Sequence, residues 1–494
     1  MFTFKRTAYL DNNATTPLSS DVINVMDQVL KKHFGNPSSL HQLGYNAANL
    51  ITSARKHIAS AINSQQENIF FTSTASEANN QVLHSLVEAF DIQSQKLKII
   101  SSPIEHMSII ATLSALKNKG VIVEYLKVNT NGQVDIKAAE AQIDDNTGLV
   151  CCMLANNEIG SIQHIEVLAK IAKKHNALIL SDCVQALGKI PINVEELNLD
   201  YATFSAHKVH GPKGIGAIYV KSGAPFHSLI KGGGQESGLR AGTESTHNIV
   251  GFGQACLAIP HLLKKASMTL QLKMSLKEKL ISMNKGITFN AEHQNTLNNT
   301  LSITIPNVDK QSLIAFLDHH NICISTDSAC CSHTTSASHV LIAIGLNEKK
   351  INETIRVSLS TQTTEKEIEY FITKLQHFFD TCAQKNITLI SPQNLDDAFL
   401  RTKDHYLLDI RSQFERLLMK SMPNSHECHV FNAQPIIRTF DKNDKLILVC
   451  SSGMKAMIFA YQLSRAGFQH IHVLAGGLLA WRKAHKQTHQ KMNK

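Results

Sequence analysis

Short continuous apolar runs alternate with longer segments of helical periodicity through the first half of the chain. The runs predict buried strands, whereas the helical segments carry apolar residues three and four positions apart on one face. The clearest strands are expected at 68–73, 97–101, 149–154, 177–181 and 215–220, and the clearest helices at 22–32 and 43–62. Strands that alternate with helices are typical of a largely parallel α/β sheet, with ligands at the carboxyl ends of its strands.

The same alternation returns near the carboxyl end of the chain. Strands are predicted at 387–391, 406–412, 445–449 and 471–474, with helices over 394–400 and from about 454 to 465. A charged helical pattern over 262–285 marks the passage to a smaller middle region. The 494 residues fit roughly three domains, which we place at 1–262, 263–383 and 386–483, followed by a basic tail at 484–494.

Composition narrows the class of protein. A hydrophobic fraction of 43% and a charged fraction of 18% are ordinary for a globular chain with a sizeable core. The formal charge of +9 is spread along the sequence without a basic block interleaved with aromatic residues, so direct nucleic-acid binding is not expected. Ten cysteines without a C-x-x-C pair predict free thiols rather than a metal site or disulfides. Without an apolar signal core or a membrane-length run, we expect a cytoplasmic protein.

A lysine at a tight turn is the first candidate for chemistry. Ser205-Ala206-His207-Lys208 joins an apolar run to a glycine-rich return, and an earlier apolar run leads to Asp182 and Gln185. Pyridoxal phosphate chemistry needs a lysine that binds the cofactor and a carboxylate that pairs with its ring nitrogen. Lys208 and Asp182 fit these roles; the alternative is that Lys208 is a solvated turn lysine.

Three motifs together resemble a known enzyme family. Asn156-Asn157-Glu158-Ile159-Gly160, Asp182-Cys183-Val184-Gln185 and Ser205-Ala206-His207-Lys208 are similar to those of cysteine desulfurases, in the long-loop class that serves iron–sulfur cluster assembly and nitrogen fixation. The resemblance covers about residues 8–382. It implies a pyridoxal-phosphate-dependent transferase of fold type I, with a large, mostly parallel mixed-sheet domain and a small α+β domain that packs with the N-terminal segment. It also implies L-cysteine as the substrate and a homodimer.

The resemblance assigns a set of cofactor contacts to positions of this chain. They are Ala75, Ser76, Asn157, Asp182, Gln185, Ser205, His207, Lys208 and Thr243. Ala75 and Ser76 lie where a strand leads into a helix, and the free N–H groups there suit a phosphate, although ordinary N-capping explains the same residues. Thr74 replaces a glycine that the family usually has at this turn. Thr243 is expected to reach the phosphate of the opposite subunit, which makes each site dependent on a dimer.

The remaining implied residues act on the substrate. Asn36 and Arg356 are expected to bind the cysteine carboxylate, for which arginine offers a two-pronged donor; a plain helix-end turn is the alternative for Asn36. His106 is expected to stack on the cofactor and move protons with Lys208. Cys330, in the polar segment 324–338, matches the catalytic thiol that removes the substrate sulfur and leaves alanine and a persulfide. Its neighbour Cys331 departs from the family and is either a bystander or a resolving thiol.

The carboxyl-terminal region, over about 386–483, is similar to a rhodanese domain. Cys450 lies between a predicted strand end and a helix start, where backbone N–H groups favour a thiolate or a persulfide. Most rhodaneses carry arginine where this chain has Ser451, and often where it has Lys455, so efficient thiosulfate use is not expected. Ala456 stands where a related phosphatase would need arginine. A buried, purely structural Cys450 is the alternative.

Two hypotheses of different classes follow for the whole chain. The first is a desulfurase with a built-in acceptor, in which sulfur passes from Cys330 to Cys450 and then to an acceptor protein, such as an iron–sulfur scaffold or a thiolation enzyme. The second is a desulfurase whose tail only docks a partner. Another lyase or aminotransferase on the same cofactor is a third possibility, which the loop cysteine disfavours.

Overall fold

The structure is a computed structural model that describes residues 7–90, 97–292, 295–326, 337–382, 386–395, 405–428, 434–451 and 453–492. Cys330 and Cys331 lie outside the described residues, as does most of the helix expected at 394–400.

The N-terminal region holds a seven-stranded sheet flanked by helices. Its strands, with the N-terminal β1, are β1 (Ala8–Tyr9), β2 (Ile69–Thr72), β3 (Lys98–Ser101), β4 (Ile122–Tyr125), β5 (Thr147–Cys151), β6 (Leu178–Asp182), β7 (Tyr201–Ser205) and β8 (Gly216–Val220). Its helices are α1 (Ser20–Lys32), α2 (Gln42–Ala61), α3 (Ala75–Ala89), α4 (Met107–Lys117), α5 (Ile136–Gln142), α6 (Ile165–Lys174), α7 (Thr246–Leu257) and α8 (Ile259–Lys264).

The strands of this sheet follow the order β2-β8-β7-β6-β5-β3-β4. β8 is antiparallel to both of its neighbours, and the other described pairs are parallel. The mostly parallel mixed sheet predicted from the sequence is thus confirmed. Because parallel strands end at the same edge, the ends of β6 at Asp182 and of β7 at Ser205 bring the predicted cofactor residues together.

The middle region is an α+β unit. Its strands are β9 (Thr288–Asn290), β10 (Thr300–Thr304), β11 (Ile322–Cys323) and β12 (Thr354–Ser358), and its helices are α9 (Ala266–Ser282), α10 (Lys310–His319), α11 (His339–Ala343), α12 (Glu348–Asn352) and α13 (Glu365–Cys382). β12, β10 and β9 form an antiparallel sheet, while β1 pairs with β11 in parallel. The N-terminal segment therefore joins the small unit before it reaches the large sheet.

The helical pattern over 262–285 corresponds to two helices. α8 and α9 are separate and meet at Lys265. The Lys265 N–H closes α8 on the carbonyl oxygens of His261 and Leu262, and α9 begins at the next residue. Apolar periodicity does not reveal this break, because both helices carry apolar residues at compatible spacing.

The carboxyl-terminal region is a parallel five-stranded sheet with the order β13-β17-β16-β14-β15. Its elements are β13 (Ile387–Ile390), β14 (Tyr406–Asp409), α14 (Gln413–Leu418), β15 (His426–Glu427), α15 (Gln434–Thr439), β16 (Lys445–Val449), α16 (Met454–Arg465), β17 (His470–Leu474) and α17 (Gly477–Met492). These elements confirm the α/β class expected for the region. α17 continues through residue 484, where the sequence analysis places the start of a basic tail.

The carboxyl-terminal region packs against the small unit through α10 and α16. The ring of Phe316 on α10 lies 5.7 Å from that of Tyr461 on α16, in an edge-on arrangement. Phe316 is buried, and Tyr461 also contacts the apolar core of the small unit. Within the described ranges, every helix falls short of the length and apolarity needed to span a bilayer.

Candidate active site

A cleft of about 810 Å³, open to solvent, lies at the carboxyl ends of β6 and β7. It brings together ten of the predicted site residues: Ala75, Ser76, His106, Asn157, Asp182, Gln185, Ser205, His207, Lys208 and Arg356. These residues come from strand ends and turns that are far apart in sequence, so the fold itself assembles the site.

Two predicted residues lie elsewhere in the subunit. Asn36 and Thr243 line a different pocket of about 600 Å³, together with Phe34 and His247. Neither residue lines the Lys208 cleft of the same chain. Their assigned roles stay predictions; for Thr243 the prediction already requires a second subunit.

Lys208 ends a single 3₁₀ turn, Ala206–Lys208, that follows β7. Its Nζ donates to the backbone carbonyl oxygens of Asn13 and Ala14, at 2.7 Å each. These carbonyls hold the amine inside the cleft, so Lys208 is not the solvated lysine of the alternative interpretation.

The carboxylate of Asp182 is fixed on both oxygens. Oδ1 accepts from the Val184 N–H at 3.0 Å, and Oδ2 accepts from Asn79 Nδ2 at 3.0 Å. The same Asn79 Nδ2 donates to Ser108 Oγ at 2.9 Å, and that oxygen lies 2.8 Å from His106 Nδ1. A hydrogen-bonded chain thus connects Asp182 to His106 through Asn79 and Ser108.

This chain determines which nitrogen of His106 carries the proton. Ser108 Oγ already accepts from Asn79, so its own hydrogen is free to donate to Nδ1, and the Ser108 backbone N–H also points at Nδ1 at 3.2 Å. Nδ1 is therefore an acceptor, and the neutral ring carries its proton on Nε2. Burial lowers the pKa of His106; the charge of Asp182 opposes this shift and that of Lys208 adds to it.

Asn13 connects the N-terminal segment to both units. Its carbonyl oxygen accepts from Lys208 and from Gln185 Nε2, the latter at 3.0 Å. Its side-chain amide donates to the Asn157 carbonyl at 3.1 Å and to Thr300 Oγ1 at 2.8 Å, and its Oδ1 accepts from Lys189 Nζ at 3.1 Å. Asn13 is 1% exposed, so water cannot replace these partners.

Lys189 is a second lysine beside the cleft. It also donates to Gln185 Oε1. Burial, followed by the charges of Lys208 and Arg356, lowers the pKa of Lys189 well below its usual value.

Arg356, on β12, presents a partly unused guanidinium. It pairs with Asp11 at 2.9 Å and donates to the Asn157 carbonyl at 3.0 Å. Its Nε has no hydrogen-bond partner among the described residues, although the side chain is 2% exposed. A buried donor without a partner is costly, and an anionic ligand in the cleft would satisfy it.

The segment that contains Cys330 is anchored beside this cleft at both ends. Before it, the backbone of Ser325 exchanges hydrogen bonds with Arg356 at 2.7 and 3.2 Å. After it, Ser338 Oγ donates to Glu158 Oε2 at 2.5 Å, and His339 Nε2 lies 2.8 Å from the Glu105 carbonyl oxygen. These contacts tether the flanks of the predicted catalytic segment to the walls of the site.

Cys450 lies directly after β16. Its Sγ accepts from the backbone N–H groups of Gly453 at 3.1 Å and Ala456 at 3.4 Å, at the start of α16. The residue is 1% exposed. Residue 477 must be a glycine, because a Cβ at this position would lie 2.4 Å from the carbonyl oxygen of Cys450.

Comparisons with known proteins identify the relatives of this chain. A family model described as aminotransferase class-V matches residues 8–371. Over 391 residues, the chain is 36% identical to the cysteine desulfurase of Nostoc sp.. The matched residues make up 79% of this chain and 96% of that protein. Over 377 residues, it is 37% identical to the cysteine desulfurase IscS of Dictyoglomus turgidum, and the matched residues make up 76% of this chain and 95% of that protein.

The chain belongs to the cysteine desulfurase family. Solved structures place the desulfurase fold in the first three-quarters of the chain: a NifS-like protein with 37% identity and a TM-score of 0.72 covers 76% of this chain and 100% of its own. A NifS-like protein from Rickettsia africae, with 35% identity, has a TM-score of 0.68 over 76% of this chain. A family model described as rhodanese-like domain matches residues 391–484. The desulfurase and rhodanese resemblances seen in the sequence are thereby confirmed.

The sequence analysis missed several residues that organise this desulfurase cleft. Asn13 reads as one of several turn formers, and Asn79 and Ser108 as ordinary residues near helix starts. Lys189 follows Gln185 by four positions within a run of turns, and no sequence pattern marks it. The other contacts join distant positions, and spacing along the chain does not reveal them.

Replacing Asn13 by alanine should destabilise the protein. The change removes the four hydrogen bonds that the Asn13 side chain makes with described residues, at about 0.5–1.5 kcal/mol for each lost bond. We expect urea denaturation of Asn13→Ala to show a free energy of unfolding lower by about 3 kcal/mol or more. Asn118→Ala, at an exposed helix end, is the matched control. A loss below about 0.5 kcal/mol in Asn13→Ala would contradict the central place given to Asn13.

Proposed function

We propose that the chain is a pyridoxal-phosphate-dependent cysteine desulfurase that converts L-cysteine to L-alanine and takes up the sulfur as a persulfide on Cys330. The observation that carries the proposal is the shared cleft of Lys208, Asp182, His106 and Arg356. An amine, a carboxylate, an imidazole and a guanidinium with an unused donor are the groups that this chemistry requires.

The residues present fit pyridoxal phosphate. Lys208 would bind the cofactor aldehyde, Asp182 its ring nitrogen, and Ala75 and Ser76, at the N-terminus of α3, its phosphate. The other contacts are assigned to Asn157, Gln185, Ser205, His207 and, across a homodimer, Thr243. When bound, the cofactor supplies an electron sink for the substrate carbon.

The chain's own groups then position the substrate and move protons. Arg356 binds the cysteine carboxylate through its free Nε edge, and Asn36 is assigned to the same carboxylate. The Lys208 amine, when displaced, rests on the carbonyl oxygens of Asn13 and Ala14. His106 exchanges protons at Nε2, because Ser108 occupies Nδ1.

Cys330 performs the sulfur transfer. Its thiolate attacks the sulfur of the bound cysteine, an S–S bond forms as the C–S bond breaks, and the carbon takes up a proton to give alanine. The anchoring of the flanking residues Ser325 and Ser338 beside the cleft supports this role. A transaminase would not need a cysteine on such a segment.

The same proposal includes the domain division and a sulfur relay. The division is 1–262, 263–383 and 386–483, with a basic tail at 484–494. Cys450 attacks the outer sulfur of the Cys330 persulfide, and Cys330 leaves as a thiolate. The relay is supported by the two N–H donors on Cys450 Sγ and by the packing of α16 against the unit that carries Cys330. An acceptor protein, an iron–sulfur scaffold or a thiolation enzyme, then receives the sulfur.

A docking tail is the second candidate. The observation that favours it is the burial of Cys450, which is 1% exposed. In that case Cys450 is structural, and the carboxyl-terminal region only positions a partner beside Cys330.

Lys208→Ala should abolish alanine formation. The variant lacks the amine that binds the cofactor and moves the proton, so both alanine and the visible absorbance of the lysine-bound cofactor should disappear. Alanine is measured by chromatography after incubation with cysteine. Lys221→Ala, which removes a more exposed lysine of the same domain, is the control and should keep activity. Normal turnover in Lys208→Ala would remove this residue from the mechanism.

Arg356→Lys should raise the KM for cysteine by about tenfold or more. Lysine keeps the charge but loses the planar donor edge that binds a carboxylate at two points. The absorbance of the bound cofactor should remain at the wild-type level, which separates substrate binding from cofactor binding. A saturation curve for cysteine that matches wild type would refute the carboxylate assignment.

The relay predicts that wild type and Cys450→Ser differ in the amount of alanine that forms in the initial burst, before turnover stops. Without added reductant, wild type should form about one more alanine per subunit than Cys450→Ser, because only wild type can empty Cys330 onto a second thiol. Quenched-flow measurement of alanine gives the burst. Cys428→Ser removes another thiol of the same region and should keep the wild-type burst. Equal bursts in wild type and Cys450→Ser would favour the docking tail.

A further inference from the structure

Lys455, in the first turn of α16, lies beside the loop that holds Cys450, and its charge is paired with that of Glu415. Lys455 Nζ lies 3.0 Å from Glu415 Oε1 and 2.9 Å from Glu415 Oε2. Both carboxylate oxygens therefore contact the ammonium group. A cation held in this way attracts a second anion only weakly, since its charge is largely cancelled at short range.

Glu415 is held in place by groups other than Lys455. Ser412, at the start of α14, donates its backbone N–H to Glu415 Oε2 at 2.9 Å and its hydroxyl to the same oxygen at 2.8 Å. Ser451, the residue after Cys450, donates its hydroxyl to Glu415 Oε1 at 3.1 Å. Burial opposes ionisation, but the hydrogen bonds from Lys455, Ser412 and Ser451 outweigh it and lower the pKa of Glu415 to about 2. Glu415 is therefore a fixed negative charge beside the loop.

The neighbouring arginines are also paired. β14 lies beside β16, so residues that follow β14 are adjacent to Cys450. Arg411, after β14, pairs with Asp409 at 2.6 Å and is fully buried, and Arg416 pairs with Glu427 at 3.2 Å. Each of these two arginines is paired with its own carboxylate. Neither therefore supplies an uncompensated positive charge in place of that of Lys455.

We infer that Glu415 determines the sulfur donor of Cys450: by pairing with Lys455 it disfavours dianionic donors such as thiosulfate and leaves the site to a persulfide presented by a protein thiol. The preference for a protein persulfide rests on the proposed relay. The exclusion of thiosulfate does not, because it depends only on the charges around Cys450.

The excluded reaction is a two-step sulfur transfer. The Cys450 thiolate attacks the outer sulfur of thiosulfate, a new S–S bond forms, and sulfite leaves with the electron pair of the broken S–S bond. Cyanide, added as the acceptor, then takes the outer sulfur as thiocyanate and restores the Cys450 thiolate. No oxidant or reductant is consumed, so the assay reports only the access of the dianion to Cys450.

The test is thiocyanate formation from thiosulfate and cyanide by full-length Glu415→Gln. Glutamine keeps the size of the side chain, and its oxygen can accept from Ser412 while its amide group donates to the Ser451 hydroxyl. It removes the negative charge that pairs with Lys455. We expect kcat/KM for thiosulfate to rise at least about tenfold, mainly through KM, and the gain to fall as salt is added. Adding Lys455→Met to the variant should remove the gain, and Cys450→Ser should abolish the reaction.

Glu166→Gln is the matched control, because it frees Lys170 from its carboxylate on α6, in the region of the large sheet. It should leave thiosulfate use at the wild-type level. If Glu415→Gln lowers the melting temperature, Ser451→Arg supplies an extra cation beside Cys450 with Glu415 intact, and the same gain is expected. Thiosulfate use that stays at the wild-type level in both Glu415→Gln and Ser451→Arg would overturn the inference, as would an equal gain in Glu166→Gln. Failure of the relay would appear instead in the alanine burst, which these variants do not measure.

Discussion

The active-site cleft depends on the buried hydrogen bonds of Asn13. The carbonyl oxygen of this residue accepts from Lys208 and Gln185 of the large sheet, and its side chain contacts Thr300 of the small unit. Unpaired buried polar groups are costly, so these contacts hold the N-terminal segment between the two units. The pairing of β1 with β11 fixes the other end of the segment. The position of the Lys208 amine is thus set by a residue 195 positions earlier in the chain.

Much of the fold and part of the site could be predicted from the sequence, for a specific physical reason. Asp182 and Ser205 lie at the ends of apolar runs, and the ends of parallel strands meet at one edge, so local patterns were enough to place them together. The chain Asp182–Asn79–Ser108–His106 could not be predicted, because it depends on side-chain geometry between three separate elements.

The two proposed sulfur sites, the cleft and Cys450, lie in surroundings of different charge. In the cleft, Arg356 Nε has no hydrogen-bond partner among the described residues, which suits the carboxylate of a free amino acid. At Cys450, Lys455 is paired with Glu415, and Arg411 and Arg416 are paired as well. In the proposed relay, a site that attracts a small anion is joined to one that does not, with the contact of Phe316 and Tyr461 between their units. This division suits a chain in which free cysteine reacts at the first site and sulfur reaches the second only on a protein thiol.

The most direct test of this account is to follow the sulfur itself. The purified protein, with its cofactor and without reductant, is mixed with cysteine that carries a heavy sulfur isotope, and its peptides are analysed by mass spectrometry over time. The account predicts labelled persulfide first on the peptide of Cys330 and later on that of Cys450, together with alanine in solution. Alanine that forms while labelled sulfur never appears on Cys330 would contradict it.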